Sequence, residues 1–129
     1  MVILITGGAG FIGSNLIHYW LAQNSGDTIV NFDALTYAGN LANLAGVESN
    51  PNYHFFQGDL RKQEQLDEVF EQFSIDSVIH LAAESHVDRS INDPSPFIDS
   101  NIKGTFQLLE TARNYWKEDL KDHRFLHVS

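Results

Sequence analysis

Cysteine is absent from the 129 residues, so no disulfide framework, thiolate metal site or cysteine nucleophile is available, and a reducing cytosol suits the chain. Basic residues are scarce: eight Lys and Arg stand against seventeen Asp and Glu, a formal charge of −9. That excess repels phosphate backbones, and with no run of Lys or Arg to offset it nucleic acid is not an expected partner. Long apolar runs are missing as well; nothing approaches the roughly 18 residues that a membrane span needs. Met1 to Ile5 is too short for a signal peptide and lacks its basic flank. The expectation is therefore a cytoplasmic protein with no membrane partner. What remains is a 43% hydrophobic chain, enough at this length for one buried core and one domain.

Val2 to Ile5 is a continuous apolar, largely β-branched run, the composition of a strand buried on both faces. Gly7, Gly8 and Gly10 stop it, and from Phe11 the pattern turns helical, with Ile12, Leu16 and Trp20 as the expected apolar stripe up to the turn residues Asn24 to Asp27. Strands are expected again at Thr28 to Phe32, Tyr53 to Gln57, Asp76 to Ala82 and Phe125 to Val128. Between Arg61 and Phe73 a helix should bury Leu66, Val69, Phe70 and Phe73 and leave its acidic residues in solvent. A longer helix from Pro96 to Trp116 should bury Ile102, Phe106, Leu109, Ala112 and Trp116. Thr36 to Asn52 is long for a connection, so it should contain a short helix near Leu41 to Leu44 or touch a ligand. Strands alternating with helices predict an α/β fold, a doubly wound parallel sheet of about five strands.

Glycines at 7, 10 and 13 fall between the first strand and the first helix. A dinucleotide pyrophosphate demands that arrangement: a turn without Cβ atoms, a close backbone, and a helix start whose free N–H groups and dipole favour an anion. Asp33 ends the second strand twenty residues after Gly13, where a carboxylate can accept hydrogen bonds from an adenosine ribose; the alternative is a cap or turn residue. The same carboxylate repels a 2′-phosphate, and Ala34, Leu35 and Thr36 bring no Arg to hold one, which favours NAD over NADP.

Ligands in open α/β sheets lie at the carboxyl ends of the strands, where the strand order reverses. Asp59 and Leu60 follow the third strand and could meet an adenine, although an Asp after Gly is also an ordinary turn residue. Leu81 to Ser90 follows the fourth strand, which should lie beside the first. Small residues at Ala82 and Ala83 would let that loop run close to a dinucleotide, with a polar substrate beyond. His80, His86 and Asp88 match no metal-ligand spacing, so no metal is expected. Ser85, His86 and Asp88 are too close in sequence for a catalytic triad, and no Gly-x-Ser-x-Gly elbow is present.

Three runs, Thr6 to Gly13 (T-G-G-A-G-F-I-G), Asp33 to Leu41 (D-A-L-T-Y-A-G-N-L) and Leu81 to Ile91 (L-A-A-E-S-H-V-D-R-S-I), resemble the extended short-chain dehydrogenase/reductase family. Within it they look most like the branch that dehydrates a nucleotide-activated glucose, dTDP-glucose. The resemblance implies a Rossmann-like fold over residues 1–129 and NAD as cofactor. It places Gly7, Gly10, Phe11, Ile12 and Gly13 on the pyrophosphate, Asp33, Ala34, Leu35 and Thr36 on the ribose, and Asp59 and Leu60 at the adenine. Leu81, Ala82, Ala83, Glu84 and Ser85 would line the middle of the cofactor, Ser85 would also touch the substrate, and Ser100 would complete the site. The implied reaction oxidises C4 of the sugar, eliminates water across C5 and C6, and returns the hydride to C6. The glycine motif is shared with sugar-nucleotide epimerases, and a non-catalytic dinucleotide-binding module is the other alternative.

The family pairs a Tyr with a Lys four residues later, the Lys lowering the Tyr pKa so that it can serve as base. Here Tyr19, Tyr37, Tyr53 and Tyr115 are followed at that distance by Gln23, Leu41, Gln57 and Asp119. Ser129 matches the first residue of the Ser-Thr-Asp-Glu run that carries the elimination. No catalytic residue is therefore expected within this span, which should be the cofactor part of the enzyme, incomplete and inactive alone. The full-length enzyme is expected to be a homodimer through a helical bundle. By itself the span should associate, because its fifth strand and long helix would lack partners.

Overall fold

A computed structural model describes residues 1–36, 39–83 and 91–128. Five strands, β1 (Val2–Thr6), β2 (Thr28–Asp33), β3 (Tyr53–Gln57), β4 (Ser77–His80) and β5 (Arg124–His127), form one sheet in the order β3-β2-β1-β4-β5. Every neighbouring pair is parallel. The chain moves outward from β1 to β3 and then crosses back to β4 on the other side of β1, so the strand order reverses between β1 and β4. Their registers place Thr6 opposite both Phe32 and His80, level with the upper rim of the sheet.

Burial on both faces explains why β1 reads as one apolar run. Leu4 joins Val30, Phe32, Leu66, Val78 and Leu108 on one side, while Ile3 and Ile5 join Ile17, Leu21 and Ile29 on the other. Each such side chain contributes roughly 1.5–3 kcal/mol relative to an exposed one. Helix α1 (Phe11–Gln23) and the 3₁₀ turn Leu41–Leu44 cover the second face. Helices α2 (Gln63–Phe73) and α4 (Thr105–Trp116) cover the first. Ahead of α4 lie α3 (Ser95–Ile98) and a π-helical segment, Asp99–Gly104.

The expected face of α2 is the observed one: Leu66, Val69 and Phe70 are buried, and Phe73 packs at the edge of the cluster. Two other helices turn differently. In α1 the buried residues are Gly13, Ser14, Ile17 and Leu21, whereas Ile12 is 67% exposed. Of the stripe Ile12, Leu16 and Trp20, the last two pack partly buried at the edge of the core while Ile12 faces solvent, because close packing of the glycine turn selects Gly13 for the inward side. In α4 the expected Ala112 and Trp116 are buried, joined by Leu108 and Thr111, whereas Phe106 and Leu109, and Ile102 in the segment before it, are exposed. Trp116 sets that rotation: its indole N–H donates to the Ile75 carbonyl at 2.8 Å, and its ring stacks on His123 at 4.6 Å.

Candidate functional site

The glycine turn is built backbone to backbone. The Gly7 amide donates to the Phe32 carbonyl at 2.9 Å, and the Gly10 amide returns to the Gly7 carbonyl at 3.2 Å. Gly7 holds φ +74°, and a Cβ there would lie 2.9 Å from the backbone of Ala82. A Cβ on Gly13 would run into the Gly7 carbonyl oxygen. The turn therefore presses α1 against the ends of β1 and β4 with no room for side chains. Gly10 caps α1 without a side-chain hydrogen bond. The first intrahelical bond runs from the Ser14 amide to the Gly10 carbonyl at 2.9 Å, so the amides of Phe11, Ile12 and Gly13 precede the first helical donor and form an anion-favouring mouth.

Asp33, at the tip of β2, is 8% exposed. Its Oδ2 accepts from the Ala9 amide at 2.9 Å and its Oδ1 from the Leu35 amide at 2.7 Å. The carboxylate thus organises both the glycine turn and the chain leaving β2. The connecting loop packs back on the same turn: Asn40 N–H and Asn43 Nδ2 both donate to the Ala9 carbonyl, at 3.1 and 3.0 Å. The 3₁₀ turn Leu41–Leu44 forms where the short helix was expected, with Asn40 accepting from the Ala42 amide.

Beyond β3, Asp59 is clamped by Arg61. The Asp59 oxygens accept from Arg61 Nη2 at 2.7 Å, Nε at 3.0 Å and the Arg61 amide at 2.9 Å. These bonds from the guanidinium hold the Asp59 carboxyl below the usual carboxylate range, against a smaller opposing effect of burial. Asp59 therefore serves as a turn residue while also lining the space above the sheet. Below the β4 rim lies His80, 1% exposed; burial first, then the charge on neighbouring His127, pushes its pKa down to about 4.

These features converge on one cleft of about 480 Å³ at the carboxyl ends of the strands. Gly7, Gly10, Phe11, Ile12, Gly13, Asp33, Ala34, Thr36, Asp59, Leu60, Leu81, Ala82 and Ala83 all line it. Leu35 does not: with φ +57° its side chain turns down onto the core cluster around Ile3 and Ile17, and only its amide serves the site, through Asp33. Glu84 and Ser85, like His86 and Asp88, lie outside the described residues, and Ser100 is described only as backbone of the π-helical segment. Phe32, Gly39, Gly58, Arg61 and Val128 also line the cleft. Gly58 and Arg61 flank the Asp59 strand end and were readable from it; Val128 follows β5 and needed the sheet order. Among the described residues no three His, Asp or Glu side chains could hold a metal ion, and no helix is long and apolar enough to cross a membrane.

The family model described as GDP-mannose 4,6 dehydratase matches residues 4–129. The chain belongs to this family. A dTDP-glucose 4,6-dehydratase of Salmonella typhimurium is 51% identical over all of the chain and 37% of its own length. Among solved structures, the dTDP-glucose 4,6-dehydratase of Bacillus anthracis in complex with NAD superposes with a TM-score of 0.84 at 40% identity, covering 100% of this chain and 37% of that one. The UDP-glucose 4-epimerase of Thermus thermophilus in complex with NAD reaches 0.77 at 36% identity, covering 89% of this chain and 34% of that one. The family member described here thus spans about 37% of the length of the curated relatives it matches, and its five parallel strands with flanking helices are the Rossmann-like arrangement expected from the sequence.

Proposed function

We propose that residues 1–129 are the NAD-binding part of a dTDP-glucose 4,6-dehydratase. The observation that carries this reading is the pairing, in one cleft, of an uncapped helix mouth over Cβ-free backbone with a carboxylate at the neighbouring strand tip. The residues fit a dinucleotide. Amides of Phe11, Ile12 and Gly13 would meet the pyrophosphate, Asp33 the ribose hydroxyls, Asp59 and Leu60 the adenine, and Leu81 to Ala83 the middle of the molecule. Held by these residues, the cofactor would supply reversible hydride transfer for an internal oxidation and reduction of the sugar. This chain's own residues would bind, orient and exclude water from the cofactor. With no Tyr followed four residues on by Lys, the chain alone is expected to leave dTDP-glucose unconverted.

The reading is supported by the dehydratase names of the similar proteins and by NAD in the solved ones. The likeness to the Thermus thermophilus epimerase supports a sugar-nucleotide epimerase as the second reading. The same assignment makes the enzyme cytoplasmic and dimeric. The dimer draws support from an exposed apolar stripe, Ile98, Ile102, Phe106 and Leu109, along α3, the π-helical segment and α4. Calorimetric titration of NAD and NADP into the chain tests the central claim. NAD is expected to bind and NADP to bind at least tenfold more weakly; no heat with NAD overturns the reading.

A further inference from the structure

One wall of the cleft is the stretch Leu81 to Ala83 that leaves β4, and what holds its backbone is a chain of polar side chains under the sheet rim. The Leu81 and Ala82 amides each donate to Thr6 Oγ1 at 3.1 Å, Leu81 sharing its proton with the Thr6 carbonyl at 3.2 Å. Thr6 Oγ1 lies 2.7 Å from His80 Nδ1, and His80 Nε2 lies 2.8 Å from Thr105 Oγ1 at the start of α4. Thr6 and His80 are both buried, at 0% and 1% exposure, so no solvent can substitute for a missing partner.

Counting donors assigns the protons. A hydroxyl oxygen has two lone pairs, and both face backbone amides here. Its own hydrogen must then point to His80 Nδ1, which has to be unprotonated, and the ring proton belongs on Nε2, donating to Thr105. The opposite tautomer would aim three donors at Thr6 Oγ1 and leave the hydroxyl hydrogen buried without an acceptor, a cost of about 1–3 kcal/mol.

We propose that His80, as the neutral Nε2-protonated imidazole, is a positioning residue of the cleft, orienting the Thr6 hydroxyl so that it holds the Leu81–Ala82 wall against the glycine turn. The wall has little freedom to move, since Ala82 already sits against Gly7 without space for a Cβ. A pKa of about 4 for the buried ring agrees with a permanently neutral acceptor. The device also ties the cleft to α4 and the π-helical segment before it, because Thr105 is the first residue after that segment.

The inference deepens the dinucleotide reading and rests on it for its binding consequence, but the tautomer can be tested alone. Two-dimensional ¹H–¹⁵N NMR of the histidine rings in the wild-type chain at neutral pH should show His80 with Nε2 protonated and Nδ1 bare; a proton on Nδ1 overturns the proposal whether or not NAD binds. His80→Asn keeps an acceptor near the Nδ1 position and should retain NAD affinity within threefold. His80→Leu keeps the volume without the acceptor, and should lose tenfold or more while speeding hydrogen exchange at the Leu81 and Ala82 amides. Thr6→Val should match that loss, and the double variant should be no worse than either single one. A folded His80→Leu chain with unchanged exchange at Leu81 and Ala82 overturns the proposal. Should wild-type chain bind no NAD, the dinucleotide reading falls while the ring protons and amide exchange still decide the relay.

Discussion

The carboxylate of Asp33 reaches across from β2 to accept the amide of Ala9 at 2.9 Å, closing the glycine turn from the side. A residue at the expected ribose position is thus also a structural brace, its second oxygen holding Leu35. Both tasks draw on one side chain, so its removal should be felt in folding and in binding.

Asp33→Ala should lower stability by about 1–3 kcal/mol, the cost of leaving buried donors unpaired, measured by urea unfolding. It should also weaken NAD by roughly tenfold or more, as expected for lost hydrogen bonds to a charged group, and narrow the preference over NADP. Unchanged affinity in a folded variant would remove Asp33 from the ribose.

Gly13→Ala should be among the most damaging single-methyl changes, because the added atom meets the Gly7 carbonyl rather than a movable side chain. A loss of about 2 kcal/mol or more is expected from such overpacking. Gly26→Ala is the control: nothing lies within 4 Å of its Cβ, and its effect should stay within about 0.5 kcal/mol.

Acid should destabilise the fold through His80. Its pKa falls from 6.5 to about 4 on burial, so between those values the unfolded chain binds the proton and the folded chain does not. Stability is therefore complete above pH 6.5 and declines as the pH drops toward 4, by about 1.4 kcal/mol per unit and on the order of 3 kcal/mol in total. Carboxylates titrate in the same range, so the readout is the difference between wild type and His80→Asn in unfolding at pH 7 and pH 4.5. Parallel curves for the two would refute it.

The rotation of α4 can be checked by two adjacent leucines. Leu108 is fully buried and Leu109 is 46% exposed. Leu108→Ala should cost about 2–5 kcal/mol and Leu109→Ala under about 1 kcal/mol. Equal effects would mean that the helix packs on the other face.

Most of the cleft was legible because its parts are local in sequence. Glycine spacing places Gly7, Gly10 and Gly13 at a strand-to-helix turn, and strand ends announce Asp33, Asp59 and Ala82. Helix rotation was less legible. Both α1 and α4 carry apolar residues on more than one face, so several stripes satisfy a 3.6-residue period and packing chooses among them. In α1 the choice falls to Gly13, in α4 to Trp116 and its bond to Ile75. Leu35 escaped for a similar reason: a positive φ at a non-glycine residue reverses its side chain, and nothing in the residue type foretells that.

Composition and spacing were enough to decide that this chain makes a parallel layered sheet with an anion-favouring turn, because β-branched runs and Cβ-free turns follow from short-range sterics. The division of Asp33 between Ala9 and Leu35, and the line from Thr105 through His80 to Thr6, came only with the folded chain. The Ala9–Asp33, His80–Thr105 and Thr6–His80 contacts join residues 24, 25 and 74 positions apart. The first follows from β2 pairing beside β1, and the Thr6–His80 contact from β4 lying on the other side of β1 in a register that brings His80 level with Thr6, long-range pairings that no local pattern encodes.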